Sequence, residues 1–146
     1  MKVSNNFYLQ EFVPLSLYEE EGERSIGAID ERIIISAQTL RDELGSPLSI
    51  NTWHSGGERY ESGLRVEGMT HYSRLSQHTY GRAVDIVSNK YLAQELREHI
   101  LRNPRKYPYI TRLEDRVSWL HMDLKNTNCG HVIMFEPESR FNYELY

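Results

Sequence analysis

The chain has 146 residues, 39% of them hydrophobic and 26% charged, which is one domain's length, enough to bury a single core, and too apolar for wholesale disorder. Its 17 basic residues against 21 acidic ones give a formal charge of -4, which argues against nucleic acid as a main partner, and no apolar run is long enough to span a membrane. A single cysteine, Cys129, excludes an intrachain disulfide and a cysteine-rich zinc cluster, so any metal must be held by histidine and carboxylate.

The N-terminus runs straight into polar residues without the 7–15-residue apolar stretch of a secretory signal, so export by an own signal is not expected. Residues 7–12 form a short packed element leading into a polar loop. The best helix is predicted over 29–44: Asp30 can cap it, Ile33, Ala37, Leu40 and Leu44 form an apolar stripe, and Gly45 and Pro47 end it. Short strands are predicted at 48–53, 82–87, 109–114, 119–125 and 131–135, each with a period of two. A second helix is predicted over 91–101, where Leu92, Leu96 and Ile100 recur every four residues before Pro104. Tight, turn-rich links after residues 114 and 125 suggest an antiparallel meander at the C-terminal end. The expected class is α+β: one domain over 1–146, with a small antiparallel sheet and helices packed on one side. The segment 54–80 is rich in Gly, Ser, Tyr and Arg, has little periodicity and exceeds the usual loop length, as loops that form sites do.

Two of the six histidines have informative neighbours. In the segment 76–87, His78 precedes a strand, Gly81 turns the chain, and Asp85 lies mid-strand on the face opposite Val84 and Ile86. In the segment 119–124, Leu120, Met122 and Leu124 make an apolar face, while Trp119, His121 and Asp123 make the other. Two imidazoles and one carboxylate are a suitable zinc set, three protein ligands with a fourth position left for water. The helical His-Glu-x-x-His pattern is absent. The same residues also fit a plainer reading, a hydrogen-bonded loop histidine and an Asp85 paired with Arg82 or Arg112. His54, His71, His99 and His131 read as structural or solvent-facing, and Cys129 has no visible base partner that would make it a nucleophile.

Ser76-x-His78-x-x-Gly81-x-Ala83-x-Asp85 followed by Trp119-x-His121-x-Asp123 resembles the zinc-site signature of the D-Ala-D-Ala carboxypeptidase and peptidoglycan endopeptidase family of metallopeptidases. That family includes phage lysins and shares its fold with the hedgehog signalling domain. The resemblance runs from Phe7 to Pro137 and implies that His78, Asp85 and His121 bind Zn2+. Ser62-Gly63-Leu64-Arg65 is similar to the family's Ser-Gly-Tyr-Arg segment, which implies a substrate-binding and carbonyl-polarising role for Arg65. It further implies hydrolysis of a peptide bond in the peptidoglycan stem peptide, as a carboxypeptidase or a lysin-like endopeptidase. The size and the absent signal look most like a bacteriophage-type member, a monomer made in the host cytoplasm that reaches the wall after release or as part of a virion. Asp123 is expected to orient an imidazole from behind. The alternative is a non-catalytic zinc module with a structural or binding role, such as a virion or tail component.

One departure matters: several members carry a catalytic acid three residues before the last histidine, where this chain has Ser118. The base then lies elsewhere, with Glu114 and Asp115 the nearest candidates, or the site has lost its chemistry. An even-numbered hairpin loop pairs Glu114 with Trp119 and Leu113 with Leu120, which puts Leu113 in the core and Glu114 at the site. A three-residue loop would bring Asp115 there instead. The even register favours Glu114, and it would set Arg112, the fallback for Arg65, opposite His121.

Overall fold

The longest helix forms where the apolar stripe predicts it. In the computed structural model, which describes residues 1–136, helix α2 spans Glu31–Leu44. Pro137 and the remainder of the expected 1–146 domain lie outside the described residues. Asp30 caps α2 by accepting from the Arg32 N–H at 3.0 Å, satisfying one of the free amides of the first turn. Gly45 closes it at φ 59, in the left-handed region that an L side chain resists. Ile33, Ala37 and Leu40 are fully buried on the inward face, and removing a side chain such as Leu40 would cost about 2–5 kcal/mol. Helix α3, Ala93–Arg102, starts where the Glu95 carboxylate accepts from the Leu92 N–H at 2.9 Å, and it ends before Pro104, which cannot continue the helix. Its Leu96 and Ile100 enter the same core. A shorter helix α1, Leu15–Glu21, stands where only a polar loop was expected. It buries no residue fully and leans on the core through Leu17 and Tyr18.

Five strands form one sheet in the order β1-β2-β4-β3-β5: β1 Leu48–Ser49, β2 Ala83–Ser88, β3 Arg112–Glu114, β4 Leu120–Asp123 and β5 Ile133–Phe135. Val84 and Ile86 of β2, Leu113 of β3, and Leu120 and Met122 of β4 face α2 and α3 across the core. The alternate residues Asp85, His121 and Asp123 therefore face the other way, as a period of two requires.

The antiparallel meander is corrected. β3 and β4 are antiparallel, but the chain after β4 crosses to the far side of β3, where β5 pairs in parallel, Leu113 opposite Met134. The sheet is thus mixed. The β3–β4 register is also shifted by two residues, since Leu113 lies opposite Met122 rather than Leu120 and Arg112 lies opposite Asp123 rather than His121. β1 is shorter than 48–53, because Asn51 leaves the ladder to tie other segments together: its side chain donates to Val13 O at 3.0 Å and accepts from Ser62 N–H at 2.8 Å. Among the described residues no helix is long and apolar enough to cross a membrane.

Candidate metal centre

The register of β2 and β4 builds the centre. Asp85 lies directly opposite His121, and directly paired residues project to the same face with their Cβ atoms about 4.5–5.5 Å apart. His78 arrives from a 3-10 turn, Gln77–Tyr80, capped by Ser76, whose hydroxyl accepts from His78 N–H at 3.2 Å. Gly81 ends that turn at φ 67, and a Cβ there would run into the Ala28 carbonyl, so the glycine is required by both conformation and space. The 54–80 segment, although nearly free of regular structure, is pinned to the sheet. Asp85 N–H donates to Ser62 O at 2.8 Å, Leu64 N–H to Phe12 O at 2.8 Å, and Arg65 N–H to His78 O at 3.0 Å. Gly63 passes so close to the Phe12 backbone that no side chain would fit.

His78, Asp85 and His121 each present a ligand atom within 4.8 Å of the others, and all three are buried. His78 Nε2 lies 3.3 Å and His121 Nδ1 3.0 Å from Asp85 Oδ1. Donors held 2.0–2.2 Å from a tetrahedral zinc are roughly 3.3–3.6 Å apart, so the two separations from Asp85 Oδ1 lie within a few tenths of an ångström of that range. The far nitrogens are also fixed. His78 Nδ1 donates to Gly63 O at 2.8 Å, and His121 Nε2 donates to Asp123 Oδ2 at 2.7 Å, leaving one inward nitrogen on each ring. Asp123 is in turn gripped by Arg112, whose Nη2 is 2.7 Å from Oδ2 and Nε 3.1 Å from Oδ1. The Arg112 guanidinium stacks over the Phe135 ring at 4.0 Å.

Burial lowers the pKa of His78, keeping its ring neutral and able to ligate. Burial alone would do the same to His121, but the hydrogen bonds to Asp123 and Asp85 push it up to about 10. Burial opposes ionisation of Asp85, yet its contacts with His78 and His121 hold it well below the usual carboxylate range. Burial likewise opposes ionisation of Asp123, which the His121 and Arg112 bonds bring down to about 2.

Of the two arginines considered for Asp85, neither takes it: Arg112 is on Asp123, and Arg82 reaches Leu124 O at 2.7 Å and Asp30 at 3.5 Å. Arg65 does, its Nη2 lying 3.1 Å from Asp85 Oδ2 while its Nε donates to Glu61 O at 2.7 Å. A cleft of about 810 Å3 opens over the three ligand residues, and Arg65, His71, Glu114, Trp119 and Phe135 help to line it. Glu114 is half-buried there; burial raises its pKa, with the His121 charge pulling the other way. Asp115, the second candidate base, turns the other way, 3.9 Å from Arg97 Nε of α3, and its N–H donates to Phe135 O at 2.7 Å. The structure thus brings Glu114 and Arg65 to the ligand cluster and leaves Asp115 aside. His71 proves to be a cleft residue held by Glu61, 2.8 Å from Nδ1, and His99 bonds Tyr107 Oη at 2.8 Å.

Sequence reasoning missed the Gly63 carbonyl behind His78 and the Arg112 clamp on Asp123. The first is a backbone atom with no residue-type signal. The second was readable only from a register that places Arg112 opposite Asp123. No protein-family model, curated protein or solved structure matches the chain.

Proposed function

We propose that the protein is a zinc-dependent peptidase of hedgehog-like fold that hydrolyses a peptide bond in the stem peptides of bacterial peptidoglycan, as a carboxypeptidase or a lysin-like endopeptidase. The observation that carries this reading is the buried His78, Asp85 and His121 cluster at zinc spacing, each imidazole held from behind, at the floor of a cleft that also contains Glu114 and Arg65. A zinc ion held by these three side chains supplies a Lewis acid that polarises a carbonyl and acidifies water. The rest is the work of the chain itself. Glu114, whose carboxylate burial makes more basic, accepts the proton of the attacking water and returns it to the leaving amine. Arg65 steadies the outer oxygen of Asp85 and offers its remaining N–H groups to a substrate carbonyl or carboxylate. The Asp123 carboxylate, gripped by Arg112, keeps His121 in the tautomer that leaves Nδ1 for the ion. Trp119 and Phe135 line the same cleft and give it an apolar wall.

The deciding experiment is release of new amino groups from purified peptidoglycan by the zinc-loaded protein, with and without a chelator, followed by mass analysis of the products. Chelator-sensitive release supports the peptidase and identifies the bond. A protein that holds one zinc per chain and releases nothing is the non-catalytic zinc module instead.

A further inference from the structure

Arg97 is a buried cation that none of the steps above uses. It lies on α3, its side chain is 5% exposed, and it reaches around the connection between β3 and β4. Its Nη1 is 3.4 Å from Glu114 O, 3.1 Å from Val117 O and 3.2 Å from Trp119 O, and its Nε donates to Gln94 Oε1 at 3.1 Å. Charge-assisted bonds of this kind are about twice as strong as neutral ones, and a buried guanidinium cannot shed its proton to escape the site. The backbone it collects is the link between β3 and β4, which β5 holds only at its start, where Glu114 pairs with Phe135. The β3–β4 pairing stops at Leu113 opposite Met122, and Arg116 in the connection takes a left-handed φ of 61. The two ends of the connection, Glu114 and Trp119, are both cleft residues.

We infer that Arg97 is a positioning residue: by gathering the carbonyls of 114, 117 and 119 it sets the Glu114 carboxylate and the Trp119 ring at their places over the ligand cluster. This rests on the peptidase reading for its catalytic consequence, but not for the placement itself. All three carbonyls lie on Nη1, so a lysine ammonium could take over part of that role but would lose the Nε bond to Gln94 Oε1 that fixes the plane of the guanidinium.

The test uses the full chain in a Trp53→Phe background, which leaves Trp119 as the one tryptophan, with Arg97→Lys and Arg97→Met added. His78, Asp85 and His121 lie on elements Arg97 does not hold, so zinc affinity measured by chelator competition should stay within about threefold of the parent. Trp119 emission should shift and its quenching by Co2+ in the metal site should change, more in Arg97→Met than in Arg97→Lys. The kcat for peptide hydrolysis should fall about 10–100-fold with KM nearly unchanged, and Arg97→Lys should recover part of it. If Arg97→Met does not fold, Arg97→Lys alone decides through the same readouts. Emission, Co2+ quenching and kcat all equal to the parent's would overturn the inference. Should the parent itself release no amino groups, the peptidase reading fails, and the emission and quenching results still decide whether Arg97 places Trp119.

Discussion

Zinc should bridge the 3-10 turn bearing His78 to the paired strands β2 and β4, which bear Asp85 and His121. Binding that favours the folded state alone stabilises it by about 2.7 kcal/mol when free zinc is 100 times the dissociation constant. For a chain of about 150 residues each kcal/mol moves Tm by roughly 2–4 °C, so zinc-loaded protein should melt about 5–11 °C above chelator-treated protein. The ligand variants must be judged by their own zinc response, because His78→Ala also loses the bond to Gly63 O, a net cost of about 1 kcal/mol in either state. Scanning calorimetry with and without zinc separates the two effects. The rise should shrink below about 2 °C in both His78→Ala and His121→Ala. A full zinc-dependent rise in both variants, with unchanged metal content by elemental analysis, would refute the ligand assignment.

Glu114→Gln should retain zinc and fold while hydrolysis falls about 10²–10⁴-fold, the usual contribution of a positioned acid–base group; Asp115→Asn should cost less than about threefold, and the reverse ranking would unseat Glu114. Arg65→Lys removes the fork that spans Glu61 O and Asp85, so turnover should drop at least tenfold and zinc affinity by up to about tenfold, whereas no change in either would return Arg65 to a surface role. Without metal, His121 is raised to about 10 and carries a proton at neutral pH, so zinc binding should release about one proton per chain at pH 7, seen as buffer-dependent heats in calorimetric titration. A histidine whose folded pKa lies above its unfolded value of about 6.5 stabilises the metal-free fold fully below pH 6.5 and loses that contribution as pH rises through 10, so chelator-treated protein should melt lower at pH 9.5 than at pH 6.5.

Legibility followed the amount of buried surface behind each pattern. Helices α2 and α3 carry apolar stripes that the core uses, and both lie within two residues of where periodicity sets them. Helix α1 was invisible because its contacts are the half-buried Leu17 and Tyr18, and a short helix with no buried stripe has no period to read. The partner of β5 was equally hidden: a strand of three residues after a polar link fits beside β4 or β3, and the choice rests on pairing far from its own sequence. At the site the residue types were readable and their partners were not. Asp85 needed a cation, but the arginine that reaches it lies twenty positions earlier in a segment without periodicity.

The hairpin shows why an incorrect register still brought Glu114 to the right face. Side chains alternate along a strand, so a shift of one residue exchanges the two faces while a shift of two restores them. The apolar pattern of Leu113, Leu120, Met122 and Leu124 constrains only that parity, and both the expected pairing and the observed one satisfy it. The chain resolves the remaining choice with a longer connection. Its carbonyls close around Arg97, its Arg116 turns at positive φ, and Leu113 comes opposite Met122. Continuing that register sets Glu114 level with His121 rather than Trp119, nearer the ligand cluster than the shorter hairpin would have brought it. Arg112 moves by the same two places, from His121 to Asp123, where it grips the carboxylate that orients His121. One displacement along β3 therefore changes Arg112 from a candidate substrate contact into a support for His121, and it leaves Arg65 as the arginine that approaches Asp85 from the cleft.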